Sequence, residues 1–276
     1  MTTFNPALER EYNNRALVPE HPAIFEQWRN DSAAFRAHAD ATLDIAYGGA
    51  ALQRLDLFHA PNARGTVVFI HGGYWRSLDK SDFSFLAAPF VANEISVAMI
   101  NYRLCPAVVI DDVVDDCRSA FMWLIANGPA HQMPIARIAL TGHSAGGHLV
   151  AMLFATDWLA RGIDMKCVVG GVALSGVFDL APLRHCSMND DLQLDAASAQ
   201  ALSPIHLQSQ IDAPLTLAVG GDESAAFIEQ TSSLHRAWPT TCAVTDIVGA
   251  RNHFTIVEEL ATPECKAFQI VRKLFD

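Results

Sequence analysis

The chain is short of positive charge. It carries 19 Lys and Arg against 30 Asp and Glu, a net charge of −11. That sign excludes a surface built to hold nucleic acid or an anionic membrane, and the acidity reads as simple solubility. It also lacks paired cysteines. Cys105, Cys117, Cys167, Cys186, Cys242 and Cys265 are scattered, with no C-x-x-C among them. In a chain of 276 residues this points to reduced thiols and a cytoplasmic protein. Met1 to Pro6 has neither the basic nor the apolar region of a secretory leader. No apolar run reaches membrane-spanning length. No H-E-x-x-H or comparable ligand spacing occurs among the 11 histidines, so no metal and no other cofactor is expected. Repeats, low-complexity tracts and linkers are absent too.

What is present is a hydrophobic content of 51%, enough for one large core. A single domain over residues 1–276 is expected. Residues 1–42 read as a helical brace or lid, with a helix start at Pro22 and apolar spacing through Ala23 to Trp28. Asp44 to Tyr47 and Leu52 to Phe58 flank a Gly48-Gly49 turn and read as a hairpin. Thr66 to Ile70, Ile95 to Tyr102, Ile138 to Leu140, Cys167 to Leu174, Pro214 to Gly220 and Thr241 to Val248 are apolar strands. Helical patterns fall between most of them: Ser81 to Asn93, Val108 to Asn127, the stretch after Ser144 and Ala225 to Trp238, with a closing helix from Pro263 to Phe275. In the second of these, Val109, Val113, Cys117, Ala120, Phe121 and Leu124 form one stripe. Residues 180–212 lack clean periodicity and read as short helices in a small cap. This alternation predicts an α/β fold, with a mostly parallel sheet of about eight strands covered on both faces. Functional loops then gather at the carboxyl ends of the strands.

Four chemistry-bearing residues fall just past such ends: His71, Ser144, Asp222 and His253. Ser144 lies in Gly142-His143-Ser144-Ala145-Gly146, between a strand and a helix, the context of a nucleophile elbow. The order Ser144, Asp222, His253 is that of the α/β-hydrolase fold, with His253 as base and Asp222 as its orienting acid. Asp222 also suits the N-cap of the next helix. Glu223 is adjacent, but only one of the two neighbours can face inward. Gly72, Gly73 and Ala145 are placed to donate backbone N–H groups to an oxyanion. Tyr74 and Trp75 are candidates for a pocket wall, with core packing an equal option for Trp75. His143 and His148 flank the serine and are expected to point away from it.

His71-Gly72-Gly73-Tyr74-Trp75, Asn101-Tyr102-Arg103-Leu104-Cys105-Pro106, Gly142 to His148 and Gly220-Gly221-Asp222-Glu223-Ser224 together resemble the kynurenine formamidase (arylformamidase) branch of the α/β-hydrolases. Glu11-Tyr12-Asn13-Asn14-Arg15 resembles the start of bacterial members of that branch. The resemblance implies a cofactor-free serine hydrolase that cleaves the formyl amide of N-formylkynurenine. In it Ser144, Asp222 and His253 form the triad, and Gly72, Gly73 and Ala145 shape the oxyanion hole. The alternative is a carboxylesterase of small acyl esters using the same machinery. A non-catalytic ligand receptor on the scaffold is more remote, because candidates for all three triad members are retained. A small-molecule substrate is the expected partner, and a homodimer is compatible with the sequence.

Overall fold

A computed structural model describes residues 3–242 and 244–276. The N-terminal segment holds three helices: α1 (Pro6–Tyr12), α2 (Asn14–Leu17) and α3 (His21–Arg36). There follow β1 (Ala41–Ala46), β2 (Arg54–Phe58), β3 (Thr66–Ile70), α4 (Ala87–Val91), β4 (Ser96–Ile100), α5 (Ile110–Asn127), β5 (Ile138–His143), α6 (Ala145–Phe154) and β6 (Val168–Leu174). The rest of the chain forms α7 (Asn189–Leu192), α8 (Ala196–Ala201), β7 (Leu215–Gly220), α9 (Ala225–Ala237), β8 (Thr245–Val248), α10 (Glu258–Ala261) and α11 (Lys266–Lys273).

The strands form one sheet of eight, in the order β1-β2-β4-β3-β5-β6-β7-β8. β1, β2 and β4 pair antiparallel, and the remaining pairs are parallel. β3, β4, β5 and β7 are buried at every position, which is why they read as unbroken apolar runs rather than alternating ones. One core lies on each face. The first packs α5, α6 and α9 with the cap. The second packs α3, α4 and α11. β4 and β5 leave β3 in opposite directions, so the order reverses there. Crevices for ligands form at such a switch point. Ile70 at the end of β3 lies opposite Gly142 in β5, so the loops after these two strands meet.

Several boundaries differ from the sequence reading. The first hairpin strand begins at Ala41 and carries a register shift between Thr42 and Ile45. The pattern from Ser81 to Asn93 is a 3-10 turn, Lys80–Leu86, followed by the short α4. A capping interaction of Asp79 with Ser81 and Asp82 favours that tight start. Val109 caps α5 and is exposed, while the rest of its stripe is buried. β8 starts at Thr245, although the Thr241 carbonyl already accepts from the Leu215 amide. The closing helix is α11 alone, with α10 before it.

Residues 180–212 are short helical turns between β6 and β7: α7, α8 and two 3-10 segments. The N-terminal segment is tied to them. Asn5 N–H donates to His185 O at 2.8 Å, and the Ser187 amide donates to Glu9 Oε2 at 2.8 Å. It is tied to α9 as well, through Ser224 Oγ donating to Glu11 O at 2.7 Å and Gln230 Nε2 donating to Tyr12 Oη at 2.8 Å. These bonds hold α1 and α2 across the carboxyl ends of the strands. Among the described residues no helix is long and apolar enough to cross a membrane.

Candidate active site

Ser144 sits between β5 and α6 with φ 56° and ψ −119°, a region that non-glycine residues rarely occupy. Such a residue costs on the order of 1–3 kcal/mol and persists only where its surroundings hold it. Here they do. The Ser144 amide donates to Leu174 O at 2.8 Å, its carbonyl accepts from His148 N–H at 3.1 Å, and α6 begins at once. A Cβ on Gly142 would meet Gly146 O at 2.3 Å, and one on Gly146 would meet Ile70 O at 1.9 Å. The glycines of the motif are therefore required by backbone crowding between β3, β5 and α6.

His253 lies in the loop after β8, and its Nε2 is 2.9 Å from Ser144 Oγ. Its Nδ1 is 2.6 Å from Glu223 Oε2. Nδ1 donates to the carboxylate, which leaves Nε2 to accept from the Ser144 hydroxyl. The acid in this chain of contacts is Glu223, not the expected Asp222. After β7 the backbone turns tightly, with Glu223 N–H donating to Gly220 O at 3.2 Å and Asp222 N–H held by Arg251 O at 3.0 Å. The turn points Asp222 into solvent and folds Glu223 back beneath it. The Glu223 side chain is fully buried. Its other oxygen, Oε1, accepts from Gly220 N–H at 2.7 Å and from Ser175 Oγ. The longer glutamate side chain reaches His253 from a position one residue later than an aspartate would occupy. Asp222 does not cap α9 either, since Ser224 holds that position. Ser175, at the end of β6, was not singled out by the sequence reading. It too has positive φ, 50°, and fixes the carboxylate.

The loop after β3 abuts the serine. A Cβ on Gly72 would lie 3.0 Å from Ser144 Cβ and 2.8 Å from His143 O. Ala145 is the first residue of α6, so its amide faces the helix N-terminus, where partial positive charge collects. Among the described residues, neither the Gly73 nor the Ala145 amide donates to a backbone carbonyl. His71 braces this loop. It is fully buried, 2.7 Å from Gly72 O and 2.8 Å from Asn101 Oδ1, and stacked on Tyr102. Tyr74 lines the cavity above Ser144, and its hydroxyl donates to Tyr12 O at 2.7 Å. Trp75 does not line it. The chain turns through positive φ at both residues, which sends Trp75 into the core edge-on to His148.

The cavity that contains Ser144 and His253 is walled by Tyr12, Phe25, Trp28, Tyr74 and Phe254, with Ser187 and Met188 from the cap. Three of the five aromatic rings, Tyr12, Phe25 and Trp28, come from α1 and α3. The sequence marks this segment as a brace or lid and gives no sign of which of its residues face the serine. Phe25 meets Phe254 edge-on at 4.9 Å, and Phe254 lies 5.5 Å from the His253 ring. No group of three or more His, Cys, Asp or Glu able to hold a metal occurs among the described residues.

Two further histidines support the site from below. His143 Nε2 donates to His253 O at 2.7 Å, and His148 Nε2 donates to Leu202 O at 2.7 Å. Burial pushes them down from 6.5, His143 to about 3 and His148 to about 4, so both are neutral in the folded protein. An unfolded chain protonates each near 6.5 and so binds more protons over this range. The stability they contribute is complete above pH 6.5 and is lost as pH falls toward 4, at up to about 1.4 kcal/mol per pH unit for each. Thermal melting should therefore drop steeply over that window, and His148→Gln should flatten the drop. An unchanged slope in the variant would contradict this assignment.

The chain is similar to several known proteins. The BD-FAE family model matches residues 55–238. Kynurenine formamidase of Danio rerio is 29% identical over 235 residues, spanning 82% of this chain and 78% of that protein. A solved structure from Silicibacter sp. TM1040, described as a candidate thioesterase, superposes with a TM-score of 0.86 at 33% identity, covering 97% of this chain and 98% of that one. Esterase B of Lactobacillus rhamnosis superposes with a TM-score of 0.70 at 20% identity, covering 95% of each chain, a likeness of fold.

Proposed function

Because the chain belongs to the BD-FAE family and is a hydrolase of α/β-hydrolase fold, we propose that it is a serine hydrolase that cleaves an aryl formamide such as N-formylkynurenine through an acyl-enzyme. The observation that carries this reading is the hydrogen-bonded series Ser144–His253–Glu223 opening into an aromatic-walled cavity. In the first step His253 Nε2 takes the Ser144 proton as Oγ attacks the formyl carbon. Glu223 holds the imidazole in the required tautomer and stabilises the imidazolium that forms. The oxyanion is met by amides of Gly72, Gly73 and Ala145, and losing one such donor typically costs ~3–4 kcal/mol of transition-state stabilisation. His253 then protonates the departing aryl amine. Water, activated by the same imidazole, releases formate and restores Ser144.

A formyl group is the smallest acyl group, so nearly all of the cavity serves the leaving amine. Aromatic walls suit an aryl ring there. The similarity to kynurenine formamidase supports the same choice. The six cysteines, all unpaired, fit a reducing compartment such as the cytoplasm. Steady-state hydrolysis of N-formylkynurenine measured beside p-nitrophenyl acetate tests the substrate class. The formamide is expected to be turned over with the higher kcat/KM. Efficient cleavage of the ester with no detectable formate release from the formamide would instead make the protein a carboxylesterase.

A further inference from the structure

Arg15 lies in α2, on the N-terminal segment that roofs the cavity, and it lines the same cavity as Ser144 and His253. Among the described residues it forms no ion pair. Its guanidinium donates to Ser77 Oγ at 3.1 Å and sits over the Phe25 ring, 5.8 Å from the centroid. The other charged groups of the cavity are already engaged. Arg76 pairs with Asp191 at 2.7 Å. The Glu9 carboxylate accepts from Asn13 Nδ2 at 3.1 Å, from the Ser187 amide at 2.8 Å and from Ser187 Oγ at 2.9 Å. Arg15 is partly exposed, and the partial desolvation of its guanidinium and the like charge of Arg76 both push it down from its ordinary value. The chain has 30 acidic residues, yet none among the described residues pairs with this arginine.

We propose that Arg15 is an anion subsite: the leaving group of the natural substrate carries a carboxylate that pairs with this guanidinium while its aryl ring lies against Phe25, Trp28, Tyr74 and Phe254. A planar guanidinium matches a carboxylate in a bidentate fork, and Ser77 and the Phe25 ring hold it in place. This cation, the aromatic walls and the reacting serine line one cavity, so a substrate bound there can present a carboxylate to Arg15 and its scissile bond to Ser144. The identity of the leaving group as an amine rests on the formamidase reading. The recognition of its carboxylate does not.

Two substrate pairs separate the two ideas. One is 4-(2-formamidophenyl)-4-oxobutanoate and its primary amide. The other is 3-(4-acetoxyphenyl)propanoate and its primary amide. Within each pair the acid is expected to have the higher kcat/KM, expressed in KM. Arg15→Gln should lower the acid-to-amide ratio by roughly 10- to 100-fold, and Arg15→Lys should retain part of it. If the formamides are inert and the ester pair shows this dependence, the formamidase reading fails and the anion subsite stands. An equal preference for acid and amide in the wild-type protein, or an unchanged ratio in Arg15→Gln, overturns the subsite. Should the variant not fold, the wild-type protein still decides. 3-Phenylpropanoate should protect Ser144 from a fluorophosphonate more strongly than 3-phenylpropanamide, with the difference shrinking as salt is raised. Equal protection overturns the proposal.

Discussion

Glu223→Gln is expected to lower kcat by about 10⁴-fold, and Asp222→Asn to change it by no more than about twofold. The first figure follows from what the carboxylate does. In the proposed mechanism the carboxylate, with Oε2 2.6 Å from His253 Nδ1, fixes which ring nitrogen carries the proton and compensates the imidazolium formed in the transition state. A glutamine can present its NH₂ group to Nδ1, which then accepts, and the proton moves to Nε2. His253 then has no lone pair for the Ser144 hydroxyl. The fold should survive, because glutamine keeps the volume and its side-chain oxygen can still accept from Gly220 N–H and Ser175 Oγ. Asp222 is exposed, so neutralising it is an ordinary surface change. Kinetics of both variants on one substrate, with melting temperatures as controls for folding, check the pair. The reverse ranking would place the acid where the sequence order first suggested it.

Ser144→Ala is expected to have the larger effect, a loss of about 10⁶-fold in kcat. A residual rate above the uncatalysed reaction should persist, because the amides around the oxyanion site do not depend on the hydroxyl. Binding of a product amine should be retained, since the cavity walls come from other residues. A variant that kept a tenth of wild-type activity would mean that water, not Ser144, attacks the substrate.

The sheet was legible because its buried strands are unbroken apolar runs, and the elbow because crowding at Gly142 and Gly146 admits no side chain. Ser144 and His253 followed from their places past strand ends. The acid did not, for a physical reason. Asp222 and Glu223 are adjacent carboxylates, and the turn from Gly220 to Glu223 decides which one faces inward. The spacing Gly-Gly-Asp-Glu signalled a carboxylate there without signalling which. The fate of Tyr74 and Trp75 depended likewise on two successive residues at positive φ, which no periodicity encodes. The cavity wall was the least legible part. Tyr12, Arg15, Phe25 and Trp28 reach Ser144 only through tertiary ties of the N-terminal segment to the cap and α9, such as Ser224 to Glu11 and Ser187 to Glu9.

Ser144, activated by His253 and Glu223, is proposed to form a covalent intermediate. The most direct measurement is reaction of the protein with a fluorophosphonate, followed by mass spectrometry of the peptide that spans β5 and α6. One adduct is expected, on Ser144, formed rapidly in the wild type and in Asp222→Asn, slowly in Glu223→Gln and not at all in Ser144→Ala. No adduct in the wild-type protein, or an adduct on another residue, would contradict it.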